Sequence, residues 1–258
     1  MKLVKPKKKY GQHFLNDIDI AKRIVSYLKF NNYNQAIEIG PGMGILTKFF
    51  SIKKKFFLIE IDEESVKFLK KTFHHLSDNI ILADFLKLDI KSLIKNRQTA
   101  IIGNFPYNIS SQIIFKLIEN RNLIPFLCGL FQKEVAERIC EKKGSKKYGI
   151  ISVLVQVYYK PTYIFTIEPD FFKPKPKVKS GFITLKRRKK TKTLFNEELF
   201  FKIVKLSFQQ RRKILRNSLK KFELDKKTLE DIIFDKRPER LSVDDFINLT
   251  KIIEDAKI

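Results

Sequence analysis

Apolar residues recur along this chain in two rhythms. Short, nearly continuous apolar runs sit at Gln35–Ile39, Phe56–Ile59, Asn79–Ala83, Thr99–Gly103 and Ile124–Phe131, and further runs at Thr162–Ile167 and Gly181–Leu185. Runs of that length bounded by polar or glycine-containing turns predict seven buried strands. Between them, apolar positions fall three and four apart: Ile20, Ile24 and Leu28, then Ile45, Leu46, Phe49 and Phe50, then Ile113, Ile114, Leu117 and Ile118. These stripes predict helices that lie on a sheet, and Tyr148–Tyr159 predicts another buried helix. Strands alternating with helices imply an α/β fold with a largely parallel sheet. From Asn196 the pattern is helical only, with Leu199, Ile203 and Leu206 in one stripe and Phe208–Leu219 read as one basic helix. Ser242 is the expected N-cap of the last helix. The reading is a sheet domain at residues 1–190 and a small all-helical domain at 191–258, joined by the charge run KRRKKTKT.

Polar residues interrupt the strand ends at four places. After the first strand comes Gly40-Pro41-Gly42-Met43-Gly44, the strand–turn–helix arrangement that brings backbone close to a nucleotide. A dinucleotide fingerprint needs its third glycine at the position of Ile45, so the spacing disfavours a NAD-dependent oxidoreductase and suits an adenosyl ligand without a pyrophosphate. Glu60 ends the second strand, where a carboxylate can take both ribose hydroxyls, while Asp62 reads as the start of a helix. Asp84 ends the third strand and can accept the exocyclic amine of an adenine, with Phe85 beside it to pack on the ring. The fourth strand runs into Asn104-Phe105-Pro106-Tyr107. There Asn104 offers a side-chain carbonyl to an amine, Pro106 stiffens a loop that shows its carbonyls, and Tyr107 gives a face on which a base can stack. This loop, taken alone, reads as well as an ordinary turn; its place after the glycine motif and the acidic strand ends gives it meaning.

Charge adds a partner. The 258-residue chain carries 53 Lys and Arg against 28 Asp and Glu, a net charge of +25, which favours a polyanion. The lysine-rich arm Met1–Tyr10 reads as a solvated tail through its first residues. No apolar run approaches a membrane span and no signal-peptide core is present, while Cys128 and Cys140 have no metal-ligand spacing, so a cytoplasmic protein with reduced thiols is expected. Arg211, Arg212 and Arg216 are placed on one helix as contacts to phosphate, with pairing to Asp244 or Asp245 as the alternative.

In combination these stretches resemble the KsgA/RsmA family of small-subunit ribosomal RNA adenine dimethyltransferases. The matching segments are GQHFLND (11–17), EIGPGMGILT (38–47), EID (60–62), NFPYNIS (104–110), LFQKEVAERI (130–139), FFKPKPKV (171–178), RRKILRNSL (211–219) and RPERLSVDDF (237–246). They run in order over nearly the whole chain, and the last two set it apart from the relatives that methylate large-subunit RNA. The resemblance implies a class I S-adenosylmethionine-dependent methyltransferase fold, a Rossmann-like seven-stranded sheet with a small helical C-terminal domain that binds rRNA. It implies dimethylation of N6 on two adjacent adenosines near the 3′ end of 16S rRNA, in the assembling small subunit, by a monomer. Cofactor contacts then fall on His13, Leu15, Gly40, Glu60, Asp84 and Asn104, with the family motif usually carrying Asn where this chain has His13. Catalysis falls on Asn104, Phe105, Pro106 and Tyr107. Phe14, Phe171 and Phe172 are expected to wall the site of the target base, and Arg211 and Arg212 to hold RNA. Two rivals share part of this pattern. A DNA adenine methyltransferase should carry a target-recognition insertion, which is not visible here, and a non-catalytic assembly factor should have lost Glu60, Asp84 or Asn104, all of which are present.

Overall fold

The structure, a computed structural model, describes residues 4–189 and 195–256; the first three residues of the basic arm and residues 190–193 of the charge run lie outside the described residues. Nine strands and ten α-helices are described: β1 Phe14–Leu15, α1 Ile18–Val25, β2 Gln35–Ile39, β3 Lys55–Glu60, α2 Glu63–Thr72, β4 Ile80–Leu82, α3 Ile90–Ile94, β5 Thr99–Asn104, α4 Ser110–Glu119, β6 Phe126–Gln132, α5 Lys133–Cys140, α6 Ile150–Gln156, β7 Tyr159–Ile167, β8 Phe172–Lys173, β9 Ser180–Arg187, α7 Glu197–Gln209, α8 Leu215–Ser218, α9 Lys226–Leu229 and α10 Val243–Asp255. Seven strands form one sheet in the order β4-β3-β2-β5-β6-β9-β7, parallel from β4 to β6, with β9 antiparallel to β6. The strand order reverses at β2, and β3 and β5 flank it on either side. In an open α/β sheet the crevice at that reversal, outside the carboxyl ends of the strands, is where ligands bind.

The core follows from continuous apolar strands. Every residue of β2 is buried, and so is every residue of β3 after Lys55. Glu38 is therefore carried into the interior by a strand covered on both faces, 1% exposed. The hydroxyl of Thr47 donates to it at 2.6 Å, and burial pushes its pKa up to about 8. Helix starts are capped as the sequence expects: Asp62 accepts from the Glu64 N–H at the head of α2, and Ser242 and Asp245 form a capping box on α10.

Three expectations are corrected, and the docked extent of the basic arm is set. The stripe Ile45–Phe50 does not form an α-helix; after the glycine turn the chain makes a 3₁₀ turn at Thr47–Phe49 and then turns away. The basic arm is docked from Val4 onward: Val4 is buried, the Lys7 ammonium pairs with Asp62 and Glu64, and the Lys7 N–H donates to Gln12. Lys186 and Arg187 belong to β9 rather than to a linker, with the Arg187 guanidinium donating to the carbonyls of Arg121 and Asn122. The single domain boundary at residue 190 is replaced by a discontinuous division. One compact unit holds the chain through Ala136 together with Pro161–Arg187; the other holds Glu137–Lys160 and the chain from Arg188 on. The cause is the run Ile150–Gln156: it has no sheet period, and as α6 it packs on α7, which packs in turn on α10.

Candidate active site

The carboxyl ends of β2, β3, β4 and β5, together with the segment Tyr10–Phe14, line one cavity, the concave kind of surface on which small-molecule sites are built. After β2, Gly40, Gly42 and Gly44 all have positive φ, at 66°, 57° and 77°. A side chain at Gly42 would be strained by that φ, and its Cβ would lie 2.6 Å from the Phe14 ring. The turn is thus closed against an aromatic ring that itself lines the cavity.

Glu60, 3% exposed, sits beneath this turn. Its carboxylate accepts the N–H groups of Gly42 at 3.0 Å, Ile61 at 2.9 Å and Asp62 at 3.0 Å. Burial raises its pKa while the three donors oppose the rise. A carboxylate has about four acceptor positions, so capacity remains for a hydroxyl. At the end of β4, Asp84 accepts the Leu86 N–H at 2.9 Å through one oxygen, and the buried ring of Phe85 lines the cavity beside it.

The Asn104–Tyr107 loop closes the other side. The Asn104 amide nitrogen donates to the His13 carbonyl at 2.7 Å. A carbonyl can only accept, which fixes the amide orientation and leaves Oδ1 as an acceptor with no protein partner among the described residues. Phe105 turns its side chain into the core against Phe131, so only its backbone belongs to the site. Pro106 packs beside Gly40. The Tyr107 hydroxyl meets the Ser180 hydroxyl at 2.6 Å, and its ring stacks on His13 with centroids 5.4 Å apart. His13 Nδ1–H donates to the Pro174 carbonyl at 2.8 Å, so a neutral ring presents Nε2 as its acceptor.

The cavity therefore gathers His13, Phe14, Gly40, Glu60, Asp84, Asn104, Phe105, Pro106 and Tyr107. It does not gather the remaining expected residues. The Leu15 side chain is buried in the core, and Phe172, paired with Leu15 across β1 and β8, is buried with it. Phe171 is 39% exposed and away from the cavity lining. Arg211 and Arg212 lie in the turn after α7, and Arg216 lies on the separate α8, so they do not share a helix. The Arg211 guanidinium donates to the carbonyls of Lys146 and Ser145, and Arg216 pairs with Asp235. Asp245 pairs with Lys143 instead. Arg212 is exposed, without a partner among the described residues. Sequence reasoning missed Tyr10, Gln12 and Ile61, which also line the cavity; an apolar Ile61 between two acids at a strand end was the one visible signal.

The comparisons with known proteins agree with this architecture. The dimethyladenosine transferase from Plasmodium falciparum superposes with a TM-score of 0.83 at 25% identity, over 95% of this chain and 99% of that one. The 23S rRNA methyltransferase ErmE superposes with a TM-score of 0.72 at 21% identity, over 93% of this chain and 99% of that one. The fold is that of a class I methyltransferase. The model of the family described as ribosomal RNA adenine dimethylase matches residues 4–255, and the chain belongs to that family. Among relatives, the ribosomal RNA small subunit methyltransferase A of Flavobacterium johnsoniae is 56% identical, with 98% of each chain covered. That of Bacteroides thetaiotaomicron is 47% identical, covering 99% of this chain and 97% of its own.

Proposed function

We propose that the chain transfers methyl groups from S-adenosylmethionine to N6 of two adjacent adenosines near the 3′ end of 16S rRNA, giving N6,N6-dimethyladenosines during small-subunit assembly. The observation that carries this is the free Oδ1 of Asn104, held at the cavity by the amide's bond to the His13 carbonyl. The donor set fits the cofactor: an anionic acceptor at Glu60 for ribose hydroxyls, an acceptor at Asp84 for an adenine amine, and a turn at Gly40–Gly44 that lets backbone approach. The His13 segment lines the same cavity from the other side. When bound there, S-adenosylmethionine supplies a methyl group activated by its sulfonium.

The target amine is a poor nucleophile because its lone pair is delocalised into the base. An N6–H bond to Asn104 Oδ1, and another to the loop carbonyls, favours a pyramidal nitrogen and aims its lone pair. Pro106 keeps the loop stiff, so that no reorganisation is needed at the moment of reaction. Tyr107, fixed by Ser180, supports the base once it has left its RNA stack. In this structure the Tyr107 face is shared with His13, so the base enters beside that pair or displaces the imidazole. Phe14 is the aromatic wall that remains from the three expected. Among the described residues no helix is long and apolar enough to cross a membrane. A monomer acting on the assembling subunit in the cytoplasm, with the catalytic machinery in the sheet unit and RNA contact in the helical one, completes the proposal. The deciding experiment incubates the protein and labelled S-adenosylmethionine with undermethylated small subunits and maps the modified bases. Two adjacent dimethyladenosines are expected; label confined to other positions of the small-subunit RNA, or none, overturns the reading.

The arginines now separate into two predictions. Arg211→Gln removes donors from two backbone carbonyls, so the melting temperature should fall while the salt dependence of subunit binding stays as in the parent. Arg212→Gln should leave the melting temperature alone, weaken subunit binding and lower the salt slope by about one unit, as loss of one phosphate contact does. Equal slopes for the two variants would remove Arg212 from the RNA surface.

A further inference from the structure

One cation in the sheet unit has its charge turned inward. Lys116, on α4, is half-buried, and its ammonium donates to two backbone carbonyls, those of Leu86 at 2.7 Å and Leu88 at 2.6 Å. It also lies 5.6 Å from the centre of the Phe85 ring. Burial lowers its pKa from the ordinary lysine value, while the charges of Glu119, Asp84 and Asp89 act to raise it. Both carbonyls belong to the tight turn that follows β4. In that turn Asp84 accepts the Leu86 N–H with its side chain and the N–H groups of Lys87 and Leu88 with its carbonyl. Asp84 and Phe85 are the part of the turn that lines the cavity.

We propose that Lys116 is a positioning residue for cofactor selection, clamping the Leu86 and Leu88 carbonyls so that Asp84 and Phe85 present a fixed slot to adenine. The proposal rests on the placement of the adenine at Asp84 in the proposed function. Its physical basis is the geometry of the turn. Asp84 can read an exocyclic amine only if its free oxygen is held still, and the Lys116 ammonium ties the carbonyls of the turn to α4. A flexible, strongly solvated lysine would ordinarily extend into water. Here two charge-assisted bonds to carbonyls and an aromatic face replace that water. A carboxylate oxygen can only accept, so the slot takes a donor amine and repels a carbonyl at that position.

The test uses the full-length protein and two ligands, S-adenosylhomocysteine and its deaminated analogue with hypoxanthine in place of adenine, titrated by calorimetry. The parent should prefer the adenine ligand. Lys116→Met, which keeps the stem and loses the donors, should weaken S-adenosylhomocysteine by about tenfold or more and shrink the adenine preference by a similar factor. Lys116→Arg, which keeps charge and donors, should restore most of both. Amide hydrogen exchange supplies a readout independent of ligand: the Leu86, Lys87 and Leu88 amides should exchange about tenfold faster in Lys116→Met, with β2, β3 and β5 unchanged. Unchanged preference and unchanged exchange at the turn overturn the proposal. Uniformly faster exchange across the whole unit also overturns it, since that is loss of stability rather than of position. A parent that binds both ligands equally overturns the placement of adenine at Asp84, and is told apart by arising without any mutation.

Discussion

Asn104→Ala should lower single-turnover methyl transfer by about 100- to 1,000-fold. That is the cost, roughly 2.7–4 kcal/mol, of losing one preorganised partner of the reacting group. The structure sharpens the experiment, because this side chain has two jobs on two atoms. In the proposed mechanism Oδ1 accepts from the target amine, while the amide nitrogen holds the His13 carbonyl, and with it a segment that lines the cavity. Alanine removes both. Asn104→Asp keeps an acceptor but loses the donor and sets a carboxylate against the His13 carbonyl, so it tests the second job. If the amine contact dominates, alanine should lose far more rate than cofactor affinity, and aspartate should lose less rate than alanine. If the contact to the His13 carbonyl dominates, both variants should lose S-adenosylhomocysteine affinity together. A rate for alanine within about threefold of the parent would remove Asn104 from the chemistry.

Residues whose role depends on strand position were legible in the sequence; residues whose role depends on a distant partner were not. Gly40, Glu60, Asp84 and Asn104 each stand at or within two residues of the end of a parallel strand, and a buried parallel strand is a strong signal, so their convergence at one crevice follows from topology. Phe172 shows the opposite case. The pairing of β1 with β8 is two residues long, too short for any periodicity, yet it decides that Phe172 points into the core and Phe171 outward. Arg211 failed for the same reason at longer range, since the carbonyls it caps belong to residues 145 and 146, far from it in sequence. Where the basic arm begins to dock was not legible from charge density, because it depends on Lys7 meeting the distant helix cap Asp62 and its neighbour Glu64. Asp62 is held below the usual carboxylate range although its burial acts the other way, because Lys7 and the Glu64 N–H favour the charged form. Glu38 was visible but not used. A carboxylic acid within an apolar run that reads as a central strand has to be neutral or partnered, and the structure makes it both, with a raised pKa and the Thr47 hydroxyl.

Glu60→Gln should weaken S-adenosylhomocysteine binding by about 10- to 150-fold, the equivalent of about 1.5–3 kcal/mol for a charge-assisted acceptor. Glutamine is the informative change. Alanine would orphan the N–H groups of Gly42, Ile61 and Asp62 at once and collapse the turn that shapes the cavity. Glutamine keeps the volume and one acceptor oxygen, but directs an NH₂ at a backbone donor, so some melting temperature should be lost with the affinity. The two losses are separated by a ligand lacking both ribose hydroxyls. The parent should lose most of its affinity for that ligand, whereas Glu60→Gln should bind it about as well as the full ligand, because the interaction is already gone. Acid gives an independent sign. The Glu60 pKa is raised, so its carboxylate is neutralised as pH falls at a value above the ordinary glutamate range. The parent's affinity should therefore begin to drop there, while that of Glu60→Gln should show no such step. Equal penalties for the missing hydroxyls in both proteins would return Glu60 to a purely structural role, bracing the glycine turn from below.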